Sequence, residues 1–143
     1  MSRWALDTNA LSEAARRRPH KGLQRFLERH GPACAIPAPV WHELWYGCVR
    51  LPAGEHRAVL LEWLSDVRQS MEILPYDGEA ATWHASERAR LIARGRTPDL
   101  TDGAIASVAC TRGLTLVTAN VADFAVFEGL EVLDWRTNKR VPR

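Results

Sequence analysis

Residues 3–13 read RWALDTNALSE. A short apolar run, Trp4-Ala5-Leu6, leads straight into an acid, a hydroxyl and an amide: Asp7, Thr8 and Asn9. The run predicts a buried strand, and a helix starts near Asn9 and stops before Pro19. Asp7 then stands where a strand ends. A turn, a helix cap or a metal ion would each ask for those three residues. The rest of the chain has to choose between them.

Outward from this stretch, short apolar runs alternate with longer helical patterns. Leu23, Phe26 and Leu27 recur at helical spacing ahead of Gly31-Pro32. Cys34-Ala35-Ile36 predicts a strand, and Pro39 fits the first turn of a helix carrying Val40 and Leu44. A further helix begins near Ala53-Gly54 and holds Leu60, Leu61, Leu64 and Val67. Glu72 to Leu74 predicts a strand closed by Pro75, and Asp77 a cap for a long helix that Gly95 stops. Thr101 is the expected cap of a helix holding Ile105 and Val108. Thr115 to Thr118 is a β-branched central strand, and Val132-Leu133 the last one. Strands separated by helices predict an α/β fold whose parallel sheet is covered on both faces.

Composition bounds the function. At 143 residues, 46% hydrophobic and 25% charged, the chain is expected to form one globular domain over residues 1–143. A net charge of +2 permits an anionic partner without demanding one. Lys21 and Lys139 are the only lysines, so the basic groups are nearly all arginine. The cysteines, Cys34, Cys48 and Cys110, are odd in number and form no C-x-x-C pair. That argues against a zinc knuckle and a disulfide framework, and for buried thiols in a reducing cytoplasm. Neither a signal peptide nor a run of membrane-spanning length is read, so a cytoplasmic location without a membrane partner is expected.

In parallel sheets, ligands bind beyond the carboxyl ends of the strands, where the strand order reverses. Asp7 lies at the first such end, and Thr118, Asn120 and Asp123 lie at a late one. A helix antiparallel to the strands brings Asp102, in its first turn, to the same edge, and Glu43 reaches that edge from inside its helix. Taken alone, each acid also fits a cap, a helix-dipole partner or a solvated position. Together they repel: unit charges ~4 Å apart cost roughly 4 kcal/mol at an effective dielectric of about 20. Protonation or a bound cation must relieve that. An all-oxygen set suits Mg2+ or Mn2+ better than zinc, and carboxylate-held Mg2+ is usual for phosphoryl chemistry. His42-Glu43 is not followed by the second histidine of H-E-x-x-H, and neither a Gly-rich phosphate loop nor a G-x-S-x-G elbow is present.

LDTNALSE, HELWYG around Glu43, TDGAIASVA around Asp102 and GLTLVTANVADF through Asp123 resemble, in order and spacing, the PIN-domain ribonucleases. The likeness runs from Trp4 to Trp135 and is greatest to the VapC-type toxins of type II toxin–antitoxin modules. It implies a three-layer α/β/α sandwich with a parallel five-stranded sheet in the order 3-2-1-4-5. It also implies a Mg2+-dependent endoribonuclease, with Mn2+ as a substitute ion, acting on structured RNA, often tRNA. A cognate VapB-type antitoxin would silence it, within a homodimer and a toxin–antitoxin hetero-oligomer. Carried over, Asp7, Glu43, Asp102 and Asp123 match the catalytic, metal-holding acids. Asn9 matches the asparagine that braces the first acid, and Thr118 and Asn120 the polar pair of the late strand, with Thr8 in local support. Ala119 departs from the arginine of many relatives, IASVA replaces I-A-A-T-A, and Asp99 is an extra acid read as a loop or cap residue.

Arg16, Arg17, Arg18 and Lys21, and the run Arg88, Arg90, Arg94 and Arg96, are candidates for tracking an RNA backbone; as exposed helix residues they fit solvation or an acidic antitoxin equally. Trp41 and Trp45 suit packing or a partner groove better than base stacking. Rival readings are a receiver-type Mg2+-binding signalling domain, which lacks its lysine near the last strand, a flap-type DNA nuclease, and a catalytically inactive PIN scaffold.

Overall fold

The computed structural model describes residues 1–141. Its elements run β1 (Trp4–Leu6), α1 (Thr8–Ala14), α2 (Lys21–His30), a 3-10 turn (Gly31–Ala33), β2 (Cys34–Pro37), α3 (Ala38–Val49), α4 (Glu55–Ser70) and β3 (Glu72–Leu74). They continue with α5 (Gly78–Ala93), α6 (Leu100–Cys110), β4 (Thr115–Thr118), α7 (Val121–Phe124), β5 (Val132–Asp134) and β6 (Lys139–Arg140).

The sheet order is β3-β2-β1-β4-β5-β6. The first five strands are parallel, in the expected order. β1 pairs with β2 (Trp4 opposite Cys34) and with β4 (Leu6 opposite Val117). Successive residues of a strand face opposite sides of a sheet. Every residue of β1, β2, β4 and β5 is nevertheless buried, so both faces are covered, as parallel sheets require. β6, unforeseen, adds an antiparallel sixth strand that returns from β5 through a turn with Asn138 at φ 59°.

Local chemistry sets the boundaries. Asp7 caps α1, its Oδ1 accepting from the Thr8 N–H at 2.8 Å; the helix starts one residue before Asn9. Asp77 caps α5 as expected, accepting from the Ala80 N–H at 3.0 Å. The cap of α6 is Asp99 rather than Thr101: its Oδ2 accepts from the Asp102 N–H at 3.0 Å, and the helix begins at Leu100. A carboxylate outcompetes threonine at such a cap. Cys34 and Cys48 are buried, and Cys110 is half-buried. Burial pushes the Cys34 thiol up to about 12. Among the described residues, no helix is long and apolar enough to cross a membrane.

Because the strand order reverses between β1 and β4, the connections leave the sheet in opposite directions there. The carboxyl tips of these two neighbours form the crevice where open α/β sheets place ligands. Asp7 follows one tip directly; Thr118 ends the other.

Candidate metal centre and active site

At the crevice, three side chains from the two strand tips, with Trp135 from the end of β5, form a closed hydrogen-bond set. Thr118 Oγ1 donates to Asp7 Oδ2 at 2.7 Å. Asn9 Nδ2 donates to Asp7 Oδ2 at 2.9 Å and to Thr118 Oγ1 at 3.0 Å. Asn9 Oδ1 accepts from the Ala119 N–H at 2.9 Å and from the indole N–H of Trp135 at 2.8 Å. The Asn120 N–H donates to Thr118 Oγ1 at 2.9 Å.

The donor and acceptor inventory makes this set unambiguous. The Asn9 amide uses both donors and both acceptor sites. Its orientation is forced, because two obligate donors, Ala119 N–H and Trp135 Nε1–H, meet the oxygen. The Thr118 hydroxyl accepts twice, so its one proton must go to Asp7. Asp7 accepts three bonds in all, two on Oδ2 and one on Oδ1. One acceptor position of Oδ1 remains for a ligand.

Asp7 is 4% exposed. Burial raises its carboxyl above the ordinary range, and the Glu43 charge adds to this; bonds from Thr118, Thr8 and Asn9 pull it down. Glu43, exposed on α3, is tied to the same tip: its Oε1 accepts from Thr8 Oγ1 at 2.6 Å. Asp102, half-buried in the first turn of α6, is pushed up to about 6. Burial is the largest cause, followed by the charges of Asp99, Asp7, Asp123 and Glu43. The four expected acids therefore share one field, and Asp99 joins it as cap and neighbour. Asp99, Asp102 and Asp123 line one open hollow of about 450 Å3 together with Arg96. Asn120 enters through its backbone, its side chain making no cap bond to α7.

This donor chemistry fits a hard divalent cation: every candidate ligand is a carboxylate oxygen, and the charge is otherwise relieved only by holding protons. Among the described residues, no three Asp, Glu, His or Cys side chains already stand at metal-holding spacing. The acids share a field rather than a preformed cage.

A sequence model of the PIN domain matches residues 5–129. The chain belongs to the PIN-domain family. Among curated PIN-type relatives, the tRNA(fMet)-specific endonuclease VapC of Shigella flexneri is 32% identical over 94% of this chain and 99% of its own. Its namesake from Salmonella typhimurium is 30% identical with the same coverage. Among solved structures, DNA-bound VapBC from Salmonella typhimurium superposes with a TM-score of 0.83 at 28% identity, covering 94% of this chain and 99% of that one. FitAcB from Neisseria gonorrhoeae gives 0.83 at 27%, covering 92% and 97%.

Two features of this PIN fold escaped the sequence reading. Trp135 follows β5 directly, and its place in VLDW carried no sign that its indole reaches Asn9. Gly103, next to Asp102, is where α5 approaches α6: a Cβ there would sit 2.3 Å from Nε2 of His84. The buried His84 bonds Tyr76 through Nδ1 at 2.9 Å.

The basic candidates divide. Arg90 is a structural group, bonded to both Glu87 oxygens at 2.7 and 2.8 Å and to the Val126 carbonyl at 3.0 Å. Arg16 pairs with Glu13 at 3.1 Å while remaining 68% exposed. Arg17, Arg18, Lys21, Arg88, Arg94 and Arg96 are exposed. Trp41 and Trp45 stack on each other with centroids 5.8 Å apart, and the Arg68 guanidinium lies over Trp41.

Proposed function

We propose that this protein is an endoribonuclease toxin that hydrolyses RNA phosphodiester bonds at the β1–β4 crevice, using Mg2+ held by Asp7, Glu43, Asp102 and Asp123, and that a VapB-type antitoxin neutralises it. One observation carries the reading. Asp7, at the β1 tip, and Asp102, in the first turn of α6, both have raised carboxyl groups, Asp102 in a field to which Asp7, Asp99, Asp123 and Glu43 all contribute. A folded domain has no structural use for such repulsion, whereas a cation converts it into binding. Relatives named as VapC ribonucleases and structures of VapBC and FitAB assemblies support the reaction and the partner. Ribonucleases of this family are generally divalent-metal dependent; Mg2+, with Mn2+ as substitute, is the finer assignment made here.

When bound, the ion supplies Lewis-acid stabilisation of charge on phosphate oxygens and a more acidic water. The chain's own residues do the rest. Asn9 and Thr118 fix Oδ2 of Asp7 and the Thr8 N–H fixes Oδ1, so that the free acceptor position on Oδ1 is constant in direction. Thr8 holds Glu43 against the same tip. Asp99 fixes the first turn of α6 and with it Asp102. In-line displacement at phosphorus depends almost wholly on this kind of positioning and charge stabilisation. The products are expected to carry 5′-phosphate and 3′-hydroxyl ends. Arg16, Arg17, Arg18, Lys21, Arg94 and Arg96 are assigned to contacts with the RNA backbone.

The test is cleavage of total RNA, with tRNA resolved separately, by the wild type and Asp7→Asn in Mg2+ and in chelator. Cleavage by the wild type in Mg2+ alone supports the proposal. Equal cleavage by both proteins would overturn it.

A further inference from the structure

Helix α2 and the β5–β6 turn enclose an open groove of about 710 Å3 that has no part in the acid site. Arg25, Arg29, His30, Trp135 and Arg136 line it, with Glu28 as the acid of the lining. Arg136 is engaged by Asp134, at 2.9 Å. Arg25 and Arg29 make no ion pair among the described residues and are exposed, as is Lys21 one turn earlier.

The spacing of these cations is unfavourable for the helix itself. Lys21, Arg25 and Arg29 follow each other at i, i+4 and i+8, each step rising about 6 Å along one side of α2. Like charges at that interval destabilise a helix by about 0.2–0.5 kcal/mol per pair. The first turn of α2 contains no acid, and Lys21 opposes the helix dipole there; of the three cations Arg29, beside His30, suits its end. A run of cations that weakens its own helix is explained by an anion that lies along it.

The groove also meets the reaction centre. Trp135, in its lining, donates its indole N–H to Asn9, which orients Asp7. An RNA with its scissile phosphate at the acids needs cations beyond them, because the acids themselves repel the flanking phosphates. The lining offers no exposed apolar socket: Phe26 and Trp135 are buried, and the exposed Trp45 and Tyr46 lie on α3. Helical or extended polypeptide partners usually seat apolar anchors, so the groove suits a phosphodiester chain better than an acidic protein segment.

We propose that the α2 groove, through Arg25 and Arg29 with Lys21 continuing the line, binds the phosphodiester backbone of the RNA substrate beside the cleavage site. This rests on the ribonuclease reading given above.

The experiment compares the wild type with Arg25→Gln/Arg29→Gln, using a short fluorescein-labelled single-stranded RNA of mixed sequence. Binding is read by anisotropy across a salt series, and cleavage by KM and kcat. The double variant is expected to bind about tenfold more weakly and to lose about 1.4 from the slope of log K against log salt, two cations at about 0.7 each. Its KM rises while kcat holds. Arg57→Gln, on α4, serves as the control with unchanged binding. Unchanged binding and slope in the double variant would overturn the groove assignment while leaving the wild type's cleavage intact. Competition by polyglutamate as effective as that by unlabelled RNA of equal charge would overturn it too, in favour of an acidic polypeptide. Absence of RNA cleavage by the wild type is a separate result, which removes the ribonuclease reading itself.

Discussion

The indole N–H of Trp135 ends 2.8 Å from Oδ1 of Asn9, 126 residues away in sequence. This bond fills the second acceptor site of Asn9 beside the Ala119 N–H, and the Asn9 amide in turn fixes Asp7. Trp135→Phe keeps an aromatic ring, removes the donor and leaves part of the buried indole's volume empty. The expected cost is about 1 kcal/mol of stability, read as a fall in Tm of about 2–4 °C. RNA cleavage is expected to drop about tenfold in kcat with a smaller change in KM, since one orienting contact on the asparagine is lost while the cations of the α2 groove remain.

Asp102 sets the pH dependence. Its carboxyl lies at about 6 in the folded protein against an ordinary 3.8. Between those values the native state keeps a proton that the unfolded chain has released. The stability from this group is therefore complete at low pH and lost as pH rises through about 6; Asp7 acts in the same direction. Glu13, Glu87 and Asp134, all lowered, act oppositely. Comparing the wild type with Asp102→Asn in chelator cancels those groups. The variant is expected to gain in Tm relative to the wild type from about pH 4 to about pH 7.

The approach of α5 to α6 depends on Gly103. Gly103→Ala drives a methyl into the His84 ring, so either the ring leaves its bond to Tyr76 or the helices separate. A loss of about 1–3 kcal/mol is expected, measured by urea denaturation, with reduced cleavage because α6 carries Asp102. Combining it with His84→Ala removes the clash, so the double variant is expected to be more stable than the sum of the single losses implies.

Much of this arrangement is written locally in the chain. The Trp4–Leu6 and Thr115–Thr118 runs are apolar and end in polar residues, so both strand tips were legible, as was the parallel sheet. Asp7 is a helix cap, and its proposed metal role does not compete with that, because the cap uses one oxygen of the carboxylate. β6 was not legible. It consists of two exposed basic residues with no alternation to read, and exists because the turn after Asp134 returns it to β5. The Asp99 cap was only half legible, since Asp99 and Thr101 are both capping residues and only the backbone path of α6 separates them. Trp135 and His84 act over long sequence separations, through contacts that no local pattern records.

The central claim is that the acids at the β1–β4 crevice form a divalent-cation site. Isothermal titration of Mn2+ into the metal-free wild type and into Asp7→Asn tests it most directly. Saturable binding by the wild type, lost or strongly weakened in Asp7→Asn with its fold intact, is the predicted result. No saturable binding by the wild type, or the same binding by both, would contradict it.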